Sequence, residues 1–286
     1  TGKTEEFCPD AVTIHVDIDP SEINKVVQVD CAIVGDAQSV VDAIAAIAER
    51  GDTKDWLKQT ARWKREFPLK FKKEGKLKAQ HAIQSLYNLT KGKAFVVTDV
   101  GQHQMWAAQF YLTSERYRWL SSGGAGTMGF GFPAAIGAQV AHPGELVVAI
   151  VGDGGFQMTL SELATAVIHK LPVKVMIINN RYLGMVRQWQ NMFYENRLSG
   201  VDLEGNPNFV KLAEAYGCKG FRIRRSADVR RILQDALDYN EGPCIIDVEV
   251  EKEDNVYPMI PAGASLKDMI LEAPKITSAN AQGENE

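Results

Sequence analysis

Hydrophobic and polar positions follow two regimes along the chain. From about residue 81 onward, short uninterrupted apolar runs alternate with segments whose apolar residues recur at helical spacing. The runs at 94–100, 146–151, 173–178, 219–223 and 244–250 predict strands. The periodic segments at 81–89, 104–111, 133–140, 160–169, 209–216 and 229–239 predict helices. Strands that are apolar throughout are buried on both faces, so the pattern predicts an α/β fold with a doubly wound parallel sheet over residues 79–272. The polar stretch 273–286 reads as a disordered tail.

The first fifty residues read differently. Val12-Thr-Ile-His-Val-Asp-Ile-Asp19 alternates β-branched and polar residues and stops at Pro20, a strand followed by a turn. A second short strand is expected at 26–29, leading to Ile33-Val-Gly-Asp36, and then a helix over 37–50. Roughly 50 residues cannot bury a core of their own. Residues 1–52 are therefore read as the C-terminal part of a second α/β domain whose front half lies upstream, which a start without methionine also suggests. Residues 53–78 follow as a linker, with ten Lys or Arg over 54–78 against Asp55, Glu66 and Glu74. Trp56, Trp63, Phe67 and Phe71 interleave with these charges, so a nucleic-acid patch is the alternative to a connector with a solvated basic face.

Composition narrows the function classes. A formal net charge of −4 gives no electrostatic case for nucleic acid or an anionic membrane as partner. The apolar run 146–151 is far shorter than the ~18 residues of a membrane-spanning helix, and residues 1–10 carry no apolar stretch of a signal peptide, so a soluble protein is expected. Cys8, Cys31, Cys218 and Cys244 form no C-x-x-C pair, and no histidine stands at metal-ligand spacing. They are expected to be reduced, buried thiols, which suits an intracellular compartment.

In doubly wound sheets ligands bind beyond the carboxyl ends of the strands, so those positions carry the candidate chemistry. Gly152-Asp153-Gly154-Gly155 follows one strand and Asn179-Asn180 the next, with 24 residues between Gly154 and Asn179. That length fits a single crossover, which places Asp153 and Asn180 at one edge of the sheet. A carboxylate and an amide oxygen suit Mg2+, and the glycines admit phosphate oxygens to backbone N–H groups. Each motif alone is an ordinary turn or strand terminator. A third strand ends in Gly101-Gln102-His103-Gln104, facing the same crevice. A run with five glycines in the nine positions from Gly123 to Gly131 then precedes a helix, implying close approach of backbone to something. Neither a Gly-x-Gly-x-x-Gly with a downstream acid nor a Walker lysine is present.

The spacing of Gly152-Asp153-Gly154 to Asn179-Asn180 resembles the signature of thiamine-diphosphate enzymes. More narrowly, Val100-Gly-Gln-His-Gln-Met-Trp-Ala-Ala108, Ser122-Gly-Gly-Ala-Gly-Thr-Met-Gly-Phe-Gly131 and Leu183-Gly-Met-Val-Arg-Gln-Trp189 resemble the acetohydroxyacid synthase (acetolactate synthase) catalytic subunit. The similarity runs from about Val12 to Leu271.

The resemblance implies thiamine diphosphate held through Mg2+ on Asp153, Asn180 and the main-chain carbonyl of Tyr182. It also implies amide contacts from Gly154 and Gly155, with Val100, Gly101, Gln102 and His103 approaching the diphosphate. Met128 would prop the cofactor in a bent shape, main-chain atoms of Gly126 and Met128 would meet its pyrimidine, and Leu183, Gly184 and Met185 would complete the pocket. The implied reaction is decarboxylation of pyruvate and carboligation to a second 2-oxo acid, pyruvate or 2-oxobutyrate, towards branched-chain amino acids. Trp189 would select the acceptor. Asp17, Ile18 and Asp36 would lie by the adenine end of a structural FAD, most of whose site would be upstream.

The activating glutamate and the arginine for the acceptor carboxylate are expected outside this sequence, so the chain alone is expected to be inactive. Implied partners are a second catalytic subunit in a homodimer or homotetramer and a regulatory small subunit. The setting would be cytoplasmic in a bacterium, mitochondrial or plastid in a eukaryote. Two rivals are another thiamine-diphosphate decarboxylase or oxidase of 2-oxo acids, and a non-catalytic cofactor-binding fragment.

Overall fold

A computed structural model describes residues 2–273, so most of the expected tail, residues 274–286, lies outside the described residues. The chain divides into two compact units, one of residues 2–68 with 257–273 and one of Leu69–Val256. The second begins earlier than the expected domain and ends before residue 257.

In the first unit, strand β1 (Ile14–Asp17) pairs in parallel with β2 (Cys31–Val34), and helix α1 (Ala37–Ile47) follows, capped by the Asp36 carboxylate accepting from Ser39 N at 2.9 Å. Helix α2 (Lys54–Glu66) occupies the basic stretch, with Trp56 and Trp63 edge to face at 5.5 Å. The second strand is not at 26–29 as expected. Asn24 in a left-handed conformation takes Val29 N on its side chain, and the Asp30 carboxylate accepts from Thr13 N at 2.8 Å. Those local bonds consume the β-branched run, and ladder pairing begins at Cys31 opposite Ile14. No residue of 2–68 is buried. That corrects the expectation of four buried thiols: Cys8 and Cys31 are exposed, while Cys218 and Cys244 are buried, which pushes their thiols up to about 11 and about 12.

The second unit starts with α3 (Ala79–Thr90), β3 (Phe95–Thr98), α4 (Gln102–Phe110), the short β4 (Trp119–Ser121) and α5 (Gly131–Ala141). It continues with β5 (Val147–Gly152), α6 (Asp153–Met158), α7 (Leu163–Ile168), β6 (Lys174–Asn179), α8 (Gly184–Phe193), α9 (Phe209–Ala215), β7 (Lys219–Ile223), α10 (Val229–Asp238) and β8 (Cys244–Glu249). The strands form one six-stranded sheet in the order β4-β3-β5-β6-β8-β7, every neighbouring pair parallel.

Alternation along the strands splits the core in two. Val96, Val148, Ile150, Met176 and Ile246 pack with Ile83 and Leu86 of α3, Trp106 of α4 and Leu233 of α10. Val97, Ala149, Val151, Val175 and Ile177 pack on the opposite face with Phe132 of α5, Phe156 of α6, Leu163 of α7 and Phe209 of α9. Two covered faces explain why β5 and β6 read as continuous apolar runs.

The order of the strands also fixes where a ligand can enter. From β3 the chain moves out to β4 and returns to β5 on the other side of β3, so the carboxyl ends of β3 and β5 flank the switch point. Among the described residues no helix is long and apolar enough to cross a membrane.

Candidate cofactor site

At that switch point the segments after β3, β5 and β6 line one crevice. It is walled by Val100, Gly101, Gln102 and His103, by Gly152, Asp153, Gly154 and Gly155, by Asn180, Tyr182, Leu183, Gly184, Met185 and Val186, and by Met128, Trp106 and Ile178. The fold thus gathers the expected cofactor residues at one place, except Gly126, which does not line the crevice. Trp189 is half-exposed on α8, edge to face with Phe193 at 5.6 Å, and is not a core residue. In the first unit Asp17 and Ile18 lie at the end of β1, and Asp36 follows the end of β2 with its carboxylate engaged by Ser39.

Asp153 stands at the first position of α6, immediately after β5, with no intervening turn. Its Oδ2 accepts from Arg181 N at 2.9 Å and from Asn206 Nδ2 at 2.6 Å. Burial nevertheless pushes the carboxyl up to about 6, with hydrogen bonds from Asn206, Gly154 and Arg181 pulling the other way.

Asn180 is buried; its Oδ1 accepts from Tyr182 N at 3.1 Å and its Nδ2 donates to Gln102 Oε1 at 3.2 Å. Gln102 can only present that oxygen, because its Nε2 donates to Gln188 Oε1 at 2.8 Å and to the Asp254 carbonyl at 2.9 Å. The amide oxygen of Asn180 is thereby fixed on the side away from Gln102. Arg181, between Asn180 and Tyr182, sits in the left-handed region at φ 58°. This strained turn is held by Leu183 N donating to Val201 O and Leu203 N to Arg181 O, both at 2.9 Å.

His103 is buried, its ring donates to the Asp99 carbonyl, and its Nε2 has no hydrogen-bond partner. Burial pulls its pKa down to about 4 despite the nearby Asp99 charge, so the ring is neutral at pH 7. A pKa below the unfolded value means that the folded chain binds fewer protons. His103 therefore contributes stability above about pH 6.5 that is lost as pH falls towards 4. Between pH 7 and pH 5 the expected loss is about 2 kcal/mol. Urea unfolding of wild type and His103→Gln at the two pH values tests this; equal slopes would count against it.

Two residues of the site were not singled out from sequence. Asp99, fully buried after β3, accepts from Val100 N and Gly129 N on Oδ1, at 2.9 and 3.1 Å, and from Gly131 N on Oδ2 at 2.8 Å. It ties the glycine-rich segment carrying Met128 to the sheet. It also explains two glycines: a Cβ on Gly131 would meet Asp99 N at 2.7 Å, and one on Gly155 would meet Asp99 Oδ1 at 2.3 Å. Asn206 lies in the Gly205-Asn-Pro-Asn208 loop before α9. The sequence signal for Asp99 was its place beside Gly101 at a strand end; Asn206 gave none.

A sequence profile described as "Thiamine pyrophosphate enzyme, C-terminal TPP binding domain" matches residues 99–248, the stretch that builds this crevice. The chain belongs to the thiamine pyrophosphate enzyme family. A second profile of the family, for its central domain, matches residues 1–44. Among the relatives of this thiamine pyrophosphate enzyme chain are the acetolactate synthase large subunit of Haemophilus influenzae, 42% identical over 96% of this chain and 49% of the relative, and acetolactate synthase isozyme 3 large subunit of Escherichia coli, 42% identical over 97% and 50%. Acetolactate synthase 1, chloroplastic, of Oryza sativa is 44% identical over 95% of this chain and 44% of its own length. The chain thus spans about half the length of the curated relatives it matches.

The donor set fits the family's cofactor. The crevice offers a buried carboxylate, an oriented amide oxygen and an unpartnered imidazole nitrogen. Among the described residues no group of three or more His, Cys, Asp or Glu could hold a metal ion, so an ion here depends on Asp153 together with amide, carbonyl and phosphate oxygens.

Proposed function

We propose that this chain is the C-terminal part of an acetolactate synthase catalytic subunit and supplies its half of a thiamine diphosphate and Mg2+ site. The observation that carries the reading is the convergence of Asp153, Asn180 and the orphan Nε2 of His103 on one crevice at the switch point. Asp153, Asn180 and the Tyr182 carbonyl hold the Mg2+ ion. Gln102, His103 and the backbone of Val100, Gly101, Gly154 and Gly155 face the diphosphate, whose negative charge favours a proton on His103. Met128 and the main chain of Gly126 support the pyrimidine end. Leu183, Gly184 and Met185, with Trp106 and Ile178 behind them, form an apolar wall that excludes water. When bound, the cofactor supplies the electron sink for decarboxylating a 2-oxo acid.

The substrates in this reading are pyruvate, with pyruvate or 2-oxobutyrate as acceptor. The activating glutamate comes from a region outside this sequence, through pairing with a second catalytic subunit, and a regulatory small subunit is a further partner. FAD extends the reading to the first unit, its adenine end beside Asp17, Ile18 and Asp36. The relatives that support the reading include bacterial and chloroplast proteins, so the compartment follows the source.

Product analysis of a full-length protein containing this chain, given pyruvate, tests the proposal. Acetolactate is the expected product, and acetaldehyde or acetate in its place would assign another branch of the family. In that protein Trp189→Leu is expected to lower preference for 2-oxobutyrate over pyruvate by about tenfold. The ratio of the two acetohydroxy acids in a competition assay reads this directly, and an unchanged ratio would remove Trp189 from the acceptor pocket.

A further inference from the structure

We infer that Asn206 sets the metal preference of the site by occupying one oxygen of the Asp153 carboxylate. The inference rests on reading the crevice as a Mg2+ site. Asn206 does not line the crevice; it reaches Asp153 from the neighbouring loop.

A carboxylate oxygen has two lone pairs, and both of those on Oδ2 are taken. Arg181 N donates to it at 2.9 Å and Asn206 Nδ2 at 2.6 Å. A cation is therefore left with Oδ1, by one oxygen only. The orientation of the Asn206 amide is itself determined, because its Oδ1 accepts from Gln157 Nε2 at 2.7 Å. Gln157 must present its NH2 there, since the same nitrogen donates to the Asp153 carbonyl at 3.2 Å. The remaining Asn206 N–H points to Asn179 Oδ1 at 3.4 Å, whose amide in turn donates to the buried Asp247 at 2.9 Å. The loop carrying Asn206 is held to the metal-side turn by Leu203 N donating to Arg181 O.

Single-oxygen coordination discriminates between hard cations. Mg2+ takes a near-octahedral shell with one oxygen from each carboxylate, whereas the larger Ca2+ accepts both oxygens of a carboxylate and a looser shell. With Asn206 in place the second oxygen is closed to Ca2+. Without it, Asp153 can turn and chelate through both.

The test compares full-length protein containing this chain with Asn206→Ala and Gln157→Leu, in the presence of thiamine diphosphate. Bound Mn2+ is read from the electron paramagnetic resonance signal of the free ion and displaced by Mg2+ or by Ca2+. Asn206→Ala is expected to weaken Mg2+ binding by about 10–100-fold, as other outer contacts to metal ligands do, and Ca2+ binding far less. The Mg2+ to Ca2+ preference should fall by about tenfold. Gln157→Leu, which frees the Asn206 amide to rotate, should move the ratio the same way by less, and it decides the matter should Asn206→Ala not fold. A general loosening of the loop would weaken both ions alike, and that result, or no change in either variant, would overturn the inference. Wild-type protein that binds none of the three ions would instead overturn the Mg2+ site and the inference with it.

Discussion

Asp153→Ala should weaken Mg2+ binding by more than about 100-fold, because even outer contacts to a metal ligand are worth about 10–100-fold. Among the described residues Asp153 is the only side-chain carboxylate lining the crevice, and its partners are all donors: Arg181 N, Asn206 Nδ2 and the Gly154 amide. Removing it deprives the Arg181 and Asn206 donors of their acceptor and takes away Oδ1, the oxygen left for the cation. Thiamine diphosphate binding should lose its magnesium dependence in the variant, read as the affinity with and without the ion. Retained dependence would move the metal to other oxygens of the crevice and break the account of Asn180 and Tyr182 as co-ligands.

Asp99→Ala should be the more damaging change to the fold. Its carboxylate satisfies three N–H groups, those of Val100, Gly129 and Gly131. A buried donor left without a partner costs about 1–3 kcal/mol. The sum is at least about 3 kcal/mol, and the glycine-rich segment before α5 is released from the sheet. Urea unfolding should report the loss of stability, and hydrogen exchange should report loss of protection at Gly129 and Gly131. Unchanged protection at those two amides would mean that the segment is held by something other than Asp99.

The two predictions differ in how far the sequence announced them. Asp153 was legible because a strand end in a parallel sheet is a ligand position by topology, and β5 and β6 are apolar enough to be read as strands without ambiguity. The contacts of Asp99 and Asn206 were not legible. Each acts through partners 30 to 53 residues away, brought close only by folding. Elements were missed for comparable reasons. Strand β4 has three residues, all half-buried at the sheet edge, too few for a period to show. Helix α6 opens with Asp-Gly-Gly, poor helix formers, and is held by Phe156, whose ring packs 5.6 Å from that of Phe132 and 5.9 Å from that of Phe209. The glycine-rich segment implied backbone in close approach to something, and at Gly131 that close neighbour is Asp99, which the sequence did not name.

The second unit is proposed to form a magnesium-dependent half-site for thiamine diphosphate. Calorimetric titration of thiamine diphosphate into the purified chain, first with Mg2+ and then with EDTA, tests it most directly. Saturable binding that disappears with EDTA is the predicted result. Binding of equal strength in both conditions would contradict the metal site built on Asp153 and Asn180, and heat of dilution alone in both would contradict the half-site.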